Sequence, residues 1–385
     1  MKIIITESQL RAIDEELGVP TNILNISFGL SQTIIEETQK LTKSDFFVSA
    51  QGGKRIGYNA DFNVPINGKI GDMDLKNIHV TIELVEQNMN QDFIMASLAY
   101  RSGAYFDDNY KIRQVQSKGQ VSIVIEYYIK KDWSFAGLKK ITEDIGLRKN
   151  NLTSSVAHEL KHAYDTYMGK HQDPKKRMSY KAYSEDGNTG VPSMNRFMTM
   201  MYYCHKIEST VRATEVAARA MENGVTKSNF LDFLKKDNTY RQLKSISNYK
   251  YEDLIKGLIS DMNIIDQILI YLQNNRKTNT EYYSPGWDNT KKINKFFEVT
   301  QRRIKSSMKE DLIYYMENDD RSVEYREKKF PGKDEKYVEK FNQNRASAYF
   351  DKNPEKFIQH AIRGLNREAN AMIKKISKLY AMMLD

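Results

Sequence analysis

The chain has 385 residues, a formal net charge of +9 and 40% apolar residues, which is enough for a sizeable core in two or three domains. Its 24 Tyr and 16 Phe exclude an intrinsically disordered protein, and the single Cys204 excludes an internal disulfide and is typical of a reducing compartment. No apolar run is long enough for a signal peptide or a membrane-spanning helix, so we expect no secretion through a signal peptide and no membrane contact.

Residues 1–119 are predicted to form an N-terminal region of helices and strands. Asn67-Gly68 is a pair typical of hairpin turns. Residues 78–84 alternate apolar and polar side chains, as a half-buried strand does, and His79 falls on the polar face. Residues 121–129 are apolar almost throughout, which predicts a more buried strand.

The most informative stretch runs from His158 through Glu159 to His162, an HExxH pattern. On a helix, residues four apart stand one above the other, so the two imidazoles suit two of the three protein ligands of a catalytic Zn²⁺. Glu159 projects about 100° away and is placed to act as a general base. The alternative is that both histidines are ordinary polar residues on a solvated helix face. Candidate caps support a helix here: Asn151, Thr153 and Ser154 at its start and Gly169 at its end.

Residues 170–191 are polar and lack periodicity, which predicts a long loop at the rim of a substrate cleft. Residues 194–221 then predict one long helix. A catalytic zinc site needs a third protein ligand. One family places Gly and His at the positions that Asp165 and Met168 occupy here, so that pattern is absent. The other common solution is a Glu on a later helix.

At this point the sequence resembles the gluzincin type of zincin metallopeptidase, especially small predicted bacteriophage peptidases. In these proteins the HExxH helix is followed by a helix with a Glu-x-x-x-Arg pattern, which would here be Glu208 to Arg212, with Glu208 46 residues after the second histidine. The resemblance covers about residues 120–220. It implies that His158, His162 and Glu208 bind Zn²⁺ and that Glu159 activates the water.

The third ligand stays open at this point. Glu215, two turns after Glu208 on the same helix face, is the main rival, and its alternative role is that of a surface acid near Arg212 or Arg219. The remaining candidates are His205, Asp165 and the loop residues His171, Asp173, Glu185 and Asp186.

Other roles near the metal also have several candidates. Asp165 could accept the second ring N–H of a ligating histidine, or it could be an exposed helix acid. In zincins the substrate lies extended along an edge strand, for which the 121–129 strand or its neighbour is the candidate. The proton donor or oxyanion stabiliser could be any of Tyr164, Tyr167, Tyr202, His171 and Arg212.

Residues 276–385 carry the basic character, with 24 Lys and Arg against 17 Asp and Glu. That excess could contact a polyanion, or it could belong to the wet faces of amphipathic helices, because acids are interspersed throughout.

Together these features predict an α+β protein with a zincin-like core of a small mixed sheet and an active-site helix, followed by a mainly helical C-terminal half. The predicted regions are 1–119, 120–275 (the metallopeptidase core) and 276–385. We expect a zinc-dependent endopeptidase that acts on a peptide or protein, in the cytoplasm of an infected host cell or on a virion. The alternatives are a structural or virion protein with a vestigial or structural metal site, and a basic nucleic-acid-binding protein.

Overall fold

The computed structural model describes residues 20, 22–51, 55–102, 104–106, 112–114, 120–131, 133–168, 189–204, 206–275, 280–299 and 354–382. The architecture is mixed α+β, as predicted, with a small mixed sheet and many helices. The chain divides into two compact units: the first comprises 1–172, 210–241 and 374–385, and the second comprises 173–209 and 242–373. The division falls within one continuous helix, Lys206–Glu222. The predicted three-part division stays a prediction.

The strands that the structure describes are β1 (Phe47–Gln51), β2 (Arg55–Ile70), β3 (Met73–Gln87), β4 (Phe93–Ser102), β5 (Ala104–Phe106), β6 (Ile112–Gln114) and β7 (Gln120–Lys130). The main sheet of the first unit has five of them in the order β1-β2-β3-β7-β4, so β1 and β4 are its edges. β3 and β7 are parallel and the other neighbours are antiparallel. The strands predicted within β3 and β7 are confirmed. β5 and β6 form a separate pair.

The turn between β2 and β3 differs from the prediction. β2 continues through Asn67-Gly68 with an irregular register, because a bulge accepts the same residue types as a turn. The chain reverses at Gly71 instead, whose φ is +54°. A Cβ there would lie 2.8 Å from the hydroxyl of Tyr164, so the turn needs glycine for both its backbone and its close approach to the metal-motif helix.

The α-helices that the structure describes are α1 (Ile23–Lys40), α2 (Leu138–Leu147), α3 (Lys149–Tyr167), α4 (Pro192–Tyr203), α5 (Lys206–Glu222), α6 (Phe230–Lys236), α7 (Asn238–Ser247), α8 (Tyr251–Ser260), α9 (Met262–Asn274), α10 (289–299) and α11 (Pro354–Lys378). α3 carries the HExxH pattern and packs against α1, β4 and β7. α3 packs into the core of the first unit through an apolar face that includes the buried residues Val156, Leu160 and Ala163.

Two predictions about helices are wrong. The predicted helix over 194–221 is two helices, α4 and α5, because the backbone of Cys204 leaves helical geometry at ψ 2°. The predicted N-terminal caps of the metal-motif helix lie inside α3, which begins earlier, at Lys149, whereas the predicted C-terminal cap Gly169 lies outside the described residues. Ser154, for example, donates its hydroxyl hydrogen bond back to the carbonyl of Asn151, as serines within helices do.

Several predictions concern residues outside the described part of the chain. These are most of the 170–191 loop with its four candidate ligands, His205, and the 300–353 stretch of the basic C-terminal region. Among the helices that the structure describes, none combines the length and apolar character needed to cross a membrane.

Candidate metal centre

His158 and His162 lie one turn apart on α3, with ring centroids 4.6 Å apart and Nε2 atoms 2.9 Å apart. Both are largely buried: the side chain of His158 is 12% exposed and His162 is 8% exposed. The interpretation of both as polar residues on a solvated face is therefore wrong. The spacing of four residues on a helix brings the two nitrogens together, as the sequence predicts.

Glu208, in the first turn of α5, joins the two histidines. One ligand atom from each of His158, His162 and Glu208 lies within 4.8 Å of the other two, and Glu208 is completely buried. The hydroxyl of Tyr202 donates a hydrogen bond of 3.3 Å to Oε1 of Glu208. Ligand atoms around a tetrahedral zinc lie about 3.4 Å apart, so only small side-chain shifts separate this cluster from a coordinating geometry.

Glu159 lies beside the cluster without belonging to it. Its Oε1 is 3.9 Å from Nε2 of His158, and the residue is 8% exposed. Glu159 is not one of the residues whose ligand atoms converge, yet at that distance it is close enough to reach a water bound at the same centre. The described geometry therefore suits a general base.

Glu215, the rival third ligand, contacts the opposite side of the His158 ring. Its Oε1 lies 2.5 Å from Nδ1 of His158 and accepts a 2.7 Å hydrogen bond from Nη1 of Arg212. Glu215 is 8% exposed, so its alternative role as a surface acid is wrong, although its predicted proximity to Arg212 is confirmed. Carboxylates that hold the outer nitrogen of a histidine ligand are a regular part of metal sites, because they fix the ring orientation.

The charge of Glu215 determines the direction of its hydrogen bond with Nδ1 of His158. Burial on its own would raise the pKa of Glu215, but the Arg212 guanidinium and the hydrogen bond from His158 outweigh it and lower the pKa to about 2. The ionised carboxylate can only accept hydrogen bonds, so Nδ1 of His158 carries the proton. Nδ1 is thereby occupied, and Nε2, which lies against His162, is the nitrogen of His158 that is placed to bind a metal.

The two histidines also contact each other through their Nε2 atoms, and a hydrogen bond there needs one proton, which either ring can supply. A metal ion held by both nitrogens would take the place of that proton.

Asp165 is completely buried, so its description as an exposed helix acid is wrong. Its two oxygens each accept a 2.6 Å hydrogen bond from Nζ of Lys161, and Oδ2 also accepts one of 3.1 Å from the hydroxyl of Thr210 on α5. Lys161 is itself only 2% exposed. This buried ion pair ties α3 to α5 one turn from the histidines.

Sequence reasoning did not identify the residues behind Glu215. Oε2 of Glu215 accepts a 3.0 Å hydrogen bond from the hydroxyl of Thr239, which lies at the start of α7. Thr239 in turn contacts Arg219, which pairs with Asp237. The only signal in the sequence is an acid before a helix start, which ordinarily indicates a cap and here also serves as one for Tyr240 N–H.

Comparisons with protein-family models, with curated proteins and with solved structures find no match for this chain.

Proposed function

We propose that the protein is a zinc-dependent endopeptidase. The observation that carries this proposal is the convergence of His158, His162 and Glu208, with Glu159 directly beside them. Two imidazoles and one carboxylate form a donor set that catalytic zinc sites use, and three protein ligands leave a coordination position for water. Structural zinc sites usually have four protein ligands, whereas the group among the described residues has three.

The donor set also favours zinc over harder cations. Mg²⁺ and Ca²⁺ prefer sites made only of oxygen atoms, whereas imidazole nitrogens suit Zn²⁺ and its transition-metal neighbours. Glu215 holds the ring of His158 at Nδ1, so Nε2 is the nitrogen that is placed to bind such a metal.

The chemistry follows from the positions of these residues. A bound Zn²⁺ would lower the pKa of its water toward neutrality and polarise the scissile carbonyl. Glu159 accepts the proton of the attacking water and returns it to the leaving amine nitrogen, so that hydrolysis yields one carboxyl and one amine. Its burial keeps this carboxylate close to the reacting atoms and limits competition from bulk water.

The pairing of the strands favours β4 over β7 as the strand that would bind an extended substrate. β7 is paired on both sides, with β3 and with β4, so its backbone groups are occupied. β4 is an edge strand of the sheet and packs beside α3. An edge strand can bind a peptide by adding it as a further strand, with affinity from main-chain hydrogen bonds. The neighbour of the 121–129 strand is therefore our candidate for the substrate contact.

The experiment is cleavage of denatured casein by the zinc-loaded protein, compared with Glu159→Gln. We expect cleavage that a chelator stops and that zinc restores, and a rate about 10²–10⁴ times lower for Glu159→Gln, because the general base is lost. Glu143→Gln on α2 is the matched control, since Glu143 is exposed and has no role in the proposed metal site. Cleavage by Glu159→Gln at the wild-type rate, or none by the zinc-loaded wild type, would contradict the proposal.

A further inference from the structure

A line of hydrogen bonds leads from His158 away from the metal cluster to the junction of α6 and α7. Glu215 binds Nδ1 of His158 through Oε1 and the hydroxyl of Thr239 through Oε2. Nη2 of Arg219 lies 2.6 Å from the Thr239 hydroxyl, and the Nε and Nη2 atoms of Arg219 contact the carboxylate of Asp237 at 2.7 and 3.2 Å. Thr239 and Asp237 are both buried, at 5% and 6% exposure.

The chemistry of these groups fixes the direction of every bond. A guanidinium has only donors, so the Thr239 hydroxyl must accept from Arg219. The single hydroxyl proton of Thr239 is then left for Oε2 of Glu215, which as a carboxylate only accepts. Asp237 in turn is held in place because its Oδ1 also accepts a 2.9 Å hydrogen bond from the backbone N–H of Tyr240. The orientation of the Thr239 proton is therefore set by groups that belong to a helix junction.

Three donors consequently hold Glu215: His158 and Arg212 at Oε1, and Thr239 at Oε2. His158 is the group whose orientation has to be fixed, so its own hydrogen bond to Glu215 cannot be what holds the Glu215 carboxylate in place. Arg212 lies one turn away on the same helix, and its 2.7 Å hydrogen bond goes to Oε1, the oxygen that also contacts His158. Thr239 reaches the other oxygen from a different helix, and this second point of attachment stops the carboxylate from rotating.

We propose that Thr239 is a positioning residue of the metal centre, which acts through Glu215 to orient His158, with Arg219 and Asp237 as its support. This inference rests on the proposed metal site. It extends the site to residues about 80 positions after the HExxH motif, in a part of the chain to which no ligand role has been assigned.

The test compares Thr239→Val, which keeps the shape and removes the hydroxyl, with Thr239→Ser, which keeps the hydroxyl. Zinc affinity is measured by competition with a chromophoric chelator, and ligand geometry by the visible absorption of the Co²⁺-loaded protein. We expect Thr239→Val to lose about tenfold or more in zinc affinity and to change the Co²⁺ spectrum, as disturbed outer partners of ligands do, and Thr239→Ser to restore both. The matched control is Thr142→Val, a buried threonine on α2 whose hydroxyl bonds only to its own helix among the contacts described.

Unchanged affinity and an unchanged Co²⁺ spectrum in Thr239→Val would overturn this inference and leave the metal site standing. A wild type that binds no zinc would instead contradict the proposed function itself. If Thr239→Val does not fold, Asp237→Asn gives the answer, because it weakens the support of Arg219 and should lower zinc affinity in the same direction by a smaller factor. Wild-type affinity in a folded Asp237→Asn would then overturn the inference.

Discussion

Two buried polar groups lie along α3 and α5, and they differ in the chemistry of their members. The ion-pair group consists of Lys161, Asp165 and Thr210, so it has one cation, one anion and one hydroxyl and is neutral. The histidine–glutamate group consists of His158, His162, Glu208 and Glu159, so it offers two imidazole rings and two carboxylates.

This difference separates a structural role from a ligand-binding one. Burying charge is expensive unless the charge is compensated, and the ion-pair group compensates its own. The histidine–glutamate group instead offers the imidazole nitrogens and carboxylate oxygens that bind a transition metal. The ion-pair group therefore stabilises the packing of α3 against α5, and the histidine–glutamate group is suited to bind a metal on that support.

The largest effect expected is on folding, from Lys161→Ala. This change leaves the Asp165 carboxylate buried without its cation and should lower the free energy of unfolding by about 3–5 kcal/mol. Urea unfolding followed by fluorescence measures it. The control is Lys235→Ala, which removes an exposed pair with Asp232 and should change the free energy of unfolding very little, because solvent screens the pair. Equal losses in the two variants would show that the ion-pair group is not a buried structural element.

The next largest effect is the stabilisation of the folded protein by zinc that binds at the histidine–glutamate group. Zinc at about 100 times its dissociation constant should raise the free energy of unfolding by about 2.7 kcal/mol, because it binds only the folded state. Thermal unfolding with zinc and with a chelator measures this difference. His162→Ala should abolish the stabilisation. A similar shift in His162→Ala would mean that zinc binds elsewhere.

A smaller effect is expected at the turn that contacts the C-terminal end of α3. Gly71→Ala should cost about 2 kcal/mol, because alanine is strained at positive φ and its methyl group would meet Tyr164. Gly224→Ala has the same kind of φ, +58°, with nothing within 4 Å, and should cost about 1 kcal/mol. Urea unfolding of both variants gives the difference. Equal costs would remove the Tyr164 contact from the account.

The smallest expected effect distinguishes Thr210 from Thr239, each of which donates a hydrogen bond to a buried carboxylate. Thr210→Val removes a hydrogen bond to Asp165 and should lower the free energy of unfolding by about 1 kcal/mol while leaving zinc affinity unchanged. Thr239→Val should instead lower zinc affinity. Unfolding and zinc competition on both variants test this contrast, and the same pattern in the two variants would remove the distinction between the groups.

Local patterns predicted the parts of the protein that depend on local spacing. The helical HExxH segment and the strands around 78–84 and 121–129 follow from periods of 3.6 and 2, and the structure has them as α3, β3 and β7. Glu208 came from a resemblance to a family and not from periodicity. The structure brings it to the two histidines, while its role as a ligand stays a prediction.

Contacts between distant residues could not be predicted in the same way. Glu215 reaches His158 across 57 positions and Thr239 reaches Glu215 across 24, and neither spacing has a periodic signal. Lys161 looks like an ordinary surface lysine in the sequence, because its burial depends on Asp165 and on the approach of α5. The break at Cys204 was missed for a similar reason, since no glycine or proline marks it.

The measurement that tests the account most directly is the zinc content of the purified protein and of four variants, by elemental mass spectrometry. We predict about one zinc per chain in the wild type and in Glu159→Gln, a reduced content in Glu215→Ala, and none in His158→Ala and Glu208→Ala. A wild type without zinc after zinc is supplied, or a Glu208→Ala variant that keeps its zinc while Glu215→Ala loses it, would contradict the central claim.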